Sequence, residues 1–109
     1  MTIADEMKEI ISRRKSIHPE WADGLDACWQ REVQVLSKSI PDTIEYLKVC
    51  SDDDFAWVGE VFDDLISVTQ SRELMRAIKE RFNMVSDPNI YESLIHDIEF
   101  AENSFISGS

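Results

Sequence analysis

Glycine and proline are scarce in this chain, three of each in 109 residues. That leaves little of the punctuation that hairpins need, and strict apolar/polar alternation is absent over any useful length. An all-β fold is therefore excluded. The two cysteines, Cys28 and Cys50, lack the Cys-x-x-Cys or Cys/His spacing of a zinc or redox site, so both are expected to be buried thiols in a reducing compartment. The glycines Gly24, Gly59 and Gly108 are too dispersed for a phosphate-cradling loop. Only His18 and His96 are available as imidazoles, and neither has a nucleophile context such as Gly-x-Ser-x-Gly. No Glu-x-x-His pair suggests a di-metal bundle, and the Asp52 to Asp64 run lacks the alternating ligands, central glycine and terminal glutamate of a calcium loop. No enzyme and no cofactor is expected. Basic residues are few as well, 11 against 22 acidic ones. Direct nucleic-acid binding needs clustered Lys and Arg, and here these occur only in Arg13-Arg14-Lys15 and around residues 72 to 81. The N-terminus has no signal-peptide pattern and no window approaches the ~18 apolar residues of a membrane span, which predicts a cytoplasmic protein.

What remains is a chain with 43% hydrophobic and 30% charged residues. That balance suits a globular protein and a single domain over residues 1 to 109. Spacings of three and four residues predict helices. The first starts after a capping Thr2, carries Met7, Ile10 and Ile11, and ends in the basic cluster at 13 to 15, where cations meet the negative end of the helix dipole. A second is expected to open at Pro19 and to bury Trp21, Leu25, Cys28, Trp29, Val33 and Leu36. A third follows Ser39 and uses Ile44, Tyr46 and Leu47. A fourth is capped by Ser51 and buries Phe55, Val58, Phe62, Leu65 and Ile66. The fifth starts at Ser71, buries Leu74, Met75, Ile78 and Phe82, and shows Arg72, Arg76, Lys79 and Arg81 outside. The sixth opens at Asp87-Pro88 and runs through Ile90, Tyr91, Leu94, Ile95, Ile98, Ala101 and Phe105, and the terminal residues 107 to 109 are expected to fray. Short connections make neighbours antiparallel, so the predicted fold is all-α, a compact bundle of about five or six antiparallel helices.

Charge is uneven. Residues 1 to 50 carry 9 acidic and 7 basic side chains while residues 51 to 109 carry 13 and 4, so most of the net −11 lies in the second half. The fourth helix concentrates it. Drawn at ~100° per residue, Asp53, Trp57, Glu60 and Asp64 share the side opposite the core. An indole among carboxylates is what a Lys/Arg-rich partner would contact, with Asp52 and Asp63 at the rim. Two other readings stay open: Asp52 to Asp54 serve the cap and dipole of the helix, and Trp57 packs beneath another helix of the same chain. Gly59, beside the core face, is expected to let another helix approach closely.

The pattern Asp53-Asp54-Phe55-x-Trp57-x-x-Glu60-Val61-Phe62-Asp63-Asp64-Leu65-Ile66, followed by Thr69-Gln70-Ser71-x-Glu73 and Asp97-Ile98-Glu99-x-Ala101-Glu102, resembles small helical immunity proteins of bacterial contact-dependent growth inhibition and related polymorphic-toxin systems. The resemblance covers roughly residues 51 to 103. It implies a cytoplasmic protein that binds the toxin domain of a cognate secreted effector, commonly a basic nuclease, and blocks it stoichiometrically. On that reading Trp57 anchors the complex and Asp53, Glu60 and Asp64 meet its cations. The alternatives are a nucleic-acid-mimicking inhibitor or a generic acidic interaction module.

Overall fold

The computed structural model describes residues 2 to 106. Residues 107 to 109, expected to fray, lie outside the described part. Among the described residues there are seven α-helices and no strand: α1 (Ile3–Ser16), α2 (Ala22–Ser37), α3 (Ile40–Val49), α4 (Asp52–Val58), α5 (Phe62–Thr69), α6 (Arg72–Asn83) and α7 (Pro88–Glu102). The protein is an all-α bundle. No described helix is long and apolar enough to cross a membrane.

Local signals place most helix starts. The side chains of Thr2, Ser39, Ser51 and Ser71 each accept a backbone N–H three residues on, and Asp87 accepts from Asn89 and Ile90. Each satisfies a donor that the first helical turn leaves free. One predicted start fails. Pro19 does not open α2, because the His18 carbonyl accepts from Trp21 N–H at 3.0 Å and closes a turn there. The helix begins only at Ala22, and its inward stripe is rotated from the predicted one. Gly24, Cys28, Glu32, Val35 and Leu36 are buried, while Trp21 is 59% exposed. Both thiols are free, Cys28 buried and Cys50 half-buried.

One core receives side chains from every helix, including Met7, Leu36, Leu47, Phe55, Leu74 and Leu94. Phe55 and Phe62 meet within it, their ring centroids 5.2 Å apart. The predicted fourth helix is interrupted. A single 3-10 turn (Gly59–Val61) follows α4, and Val61, at φ −116° and ψ 9°, leaves helical geometry before α5 begins. Farther on, Gln70 takes the left-handed conformation that ends α5, at φ 49°. Its amide donates to the carbonyls of Ile66, Ser67 and Ser104, and its oxygen accepts from Ile106 N–H, tying the end of α5 to the segment after α7.

Gly59 packs directly against α7. A Cβ there would lie 2.5 Å from Leu94 Cδ2 and 3.1 Å from Asp97 Oδ2. Leu94 is wholly buried and has nowhere to retreat. We expect Gly59→Ala to lose about 1–3 kcal/mol to crowding, outweighing the ~1 kcal/mol that alanine gains in helix propensity. Gly24→Ala differs, since its Cβ would meet only the exposed indole of Trp21, which can swing aside. Urea midpoints of the two variants check this contrast, and equal midpoints would contradict it.

Candidate functional site

The basic end of α1 lies against the acidic, aromatic side of α4 and the 3-10 turn. Glu60 accepts from Arg14 Nε at 2.8 Å and Nη2 at 2.7 Å, and from the Trp29 indole N–H of α2 at 3.2 Å. The pairing is bidentate and largely shielded, the Arg14 and Glu60 side chains being 15% and 27% exposed. Such geometry makes an ion pair worth more than the usual surface contact. The Arg14 guanidinium also sits 5.0 Å from the Trp57 ring centroid and Lys15 Nζ 5.8 Å from it. Lys15 completes the clasp with a 2.9 Å contact to Asp53 Oδ2.

The sequence drew Asp53, Trp57, Glu60 and Asp64 as one face for a basic partner. In the fold the first three meet the chain's own Arg14 and Lys15. Sequence spacing on α4 could not disclose this, because the covering cations come from more than thirty-five residues away. Asp64 belongs elsewhere. With the helix interrupted at Val61, Asp64 lies on α5 beside Trp29 and Val33 of α2. Asp52 is held by Arg81 at 2.7 Å and accepts from Ser86 N–H and Oγ. Arg81, expected outside, is 6% exposed.

One group of acids without a partner lies on α5 and α7. Asp63, Asp64 and Asp97 have neither an ion pair nor a hydrogen bond among the described residues. The surroundings of Asp64 and Asp97 oppose ionisation. Burial, then Asp63 and Glu60, push the Asp97 carboxyl up to about 6, against a smaller opposing influence of His96. Burial, then Asp63 and Asp26, raise that of Asp64. Asp63 adds its charge to that of both Asp64 and Asp97, and none of the three is paired with a lysine or arginine among the described residues, a condition that a cation brought from outside would relieve. Phe100, three residues after Asp97 on α7 and 62% exposed, adds an aromatic beside them.

Asp97 and Glu32 are the residues that sequence reasoning missed. The signal for each was a carboxylate set into a buried helical stripe, Asp97 beside Leu94 and Ala101, Glu32 between Cys28 and Leu36. Glu32 is 0% exposed and both of its oxygens lack a partner. No three His, Cys, Asp or Glu side chains among the described residues are placed to hold a metal ion.

Compared with protein-family models, curated proteins and solved structures, the chain matches none.

Proposed function

We propose that this chain is a binding protein for a basic protein partner, specifically a cytoplasmic immunity protein that neutralises a cognate toxin domain, a nuclease. The single observation that carries the reading is the acidic group Asp63, Asp64 and Asp97, which has no ion pair among the described residues and in which burial first, and the charge of Asp63 next, oppose the ionisation of Asp64 and Asp97. The net charge of −11 supports it from a distance by steering a basic partner inward. Nucleases carry basic clefts for phosphate, so an acidic cover is chemically matched to them. The resemblance over residues 51 to 103 supplies the toxin class.

Carboxylates kept for a partner are a burden to the free protein, which gives the test its direction. Asp63→Asn and Asp97→Asn are expected to hold or raise stability at pH 7 while weakening affinity for the toxin domain encoded beside this chain by about tenfold or more each. The association rate of the parent is expected to fall steeply with added salt, and that of the double variant much less. Calorimetric and stopped-flow titration of the full chain with the catalytically dead toxin domain measures both quantities. Unchanged affinity in both variants would remove these acids from the interface.

A further inference from the structure

Asp64 also borders a groove between α2 and α5, of about 540 Å³, floored by Trp29, Val33 and Val68 and edged by Gln30, Gln34 and Ser67. Three observations bear on what fits there. Val68 is 64% exposed, an aliphatic side chain left in water near the end of α5. The Trp29 ring is half-buried and fixed by its N–H bond to Glu60, so it forms a rigid apolar wall. Among the described residues no cation lines the groove itself, and Arg31 reaches only its rim, donating to Gln34 Oε1 at 3.1 Å. Its charge comes from the unpaired Asp64, with Asp26 of α2 near enough to oppose its ionisation.

We propose that the α2–α5 groove docks a basic amphipathic helix of the protein partner, with apolar side chains over Trp29, Val33 and Val68 and a lysine or arginine at Asp64. This rests on the acidic-partner reading above and assigns it a second contact. The rim argues for a helix over an extended strand. A strand would bring a row of backbone donors and acceptors to a rim of two glutamines and two serines, Ser37 as well as Ser67, whereas a helix satisfies its own and packs its ridge between two others. A second copy of this chain does not fit. Its basic helices, α1 and α6, have their apolar faces buried at Met7, Ile10, Ile11, Leu74 and Ile78. Nucleic acid is opposed by the acidic end.

The test is a backbone-amide chemical-shift titration of the full chain with a blocked synthetic helix of about 14 residues, leucine on one face and arginine on the other. A counterpart with glutamate in place of arginine serves as the charge control. Saturable shifts centred on residues 29 to 37 and 64 to 68, including the Trp29 indole, are expected with the arginine peptide alone. Asp64→Asn and Val68→Gln, both at exposed side chains, should each weaken binding by about tenfold, while Glu73→Gln, an equal change of charge on α6, should not. Failure of the arginine peptide to bind, equal binding of the glutamate peptide, or indifference to Val68→Gln overturns the groove. Shifts centred instead on Asp63 and Asp97 also overturn it, yet leave the acidic-partner reading intact. That reading is judged separately by the toxin affinities of Asp63→Asn and Asp97→Asn.

Discussion

Arg81→Ala is expected to destabilise the fold by about 3–5 kcal/mol and to lower Tm by more than ~10 °C. Arg81 Nε donates to the Leu47 carbonyl and Nη2 to the Cys50 carbonyl, each at 2.9 Å, and Nη2 also reaches Asp52 Oδ1 at 2.7 Å. One guanidinium thus serves two carbonyls that the end of α3 leaves free, pairs with the first residue of α4, and lies 5.0 Å from the Phe55 ring. Removing it leaves the Cys50 carbonyl without a donor, leaves Asp52 only its Ser86 bonds and the Leu47 carbonyl only the weak Cys50 thiol, and buried groups that lose a partner cost more than the bonds themselves contributed. Lysine in its place keeps the charge but not the fork, so Arg81→Lys should recover only part of the loss. Urea unfolding of both variants measures this, and a loss below ~1 kcal/mol for alanine would show that water takes over the role of the guanidinium. The same contact sets an acid limit. The Arg81 hydrogen bond, followed by that from Ser86 N–H, lowers the Asp52 carboxyl pKa. Its folded value lies below the unfolded one, so its contribution is complete above the ordinary carboxylate range and fades as pH falls through the folded value.

Glu32 gives the second large effect, with the opposite sign. Burial, then the charge of Glu60, raise its carboxyl to about 8, against a smaller lowering by Arg14. Folded Glu32 therefore keeps a proton that the unfolded chain surrenders near the ordinary glutamate value. Its contribution is complete below that ordinary value and is lost as pH rises toward 8, at no more than ~1.4 kcal/mol per pH unit. Glu32→Gln removes this slope. The variant should match the parent near pH 4 and exceed it by on the order of 2–4 kcal/mol at pH 8. Glu32→Met also removes two unpartnered oxygens and should gain at both pH values. Urea midpoints taken from pH 4 to 9 decide it, and parallel pH profiles for parent and Gln variant would mean that Glu32 is already ionised in the fold.

Both effects arise where a charged residue is set in or beside a buried stripe, Glu32 between Cys28 and Leu36 and Arg81 three residues after Ile78. On α6, Arg81 shares its charge with the exposed Arg72, Arg76 and Lys79. It is buried because α3 ends beside it. Asp53, Trp57 and Glu60 differ in the same way, since the pattern identified an acidic, aromatic surface seeking cations and could not identify Arg14 and Lys15 as the ones that reach it. The legible parts were those set within one or two turns of chain: the five capping residues, the inward stripes of α1, α5 and α6, part of that of α7, where Tyr91 and Ile95 stay exposed, and the tight approach at Gly59.

Sequence alone thus determined the all-α class, most helix starts and the bulk of the core, because caps and apolar periodicity act over three or four residues and need no partner. It also determined that this chain carries a large excess of acid in its second half. Only the tertiary structure decided which acids are neutralised from within and which are left free. That outcome depends on ion pairs and burial between residues far apart in the chain, where the reach of one arginine separates Glu60, answered by α1, from Asp63, Asp64 and Asp97, which no ion pair among the described residues answers.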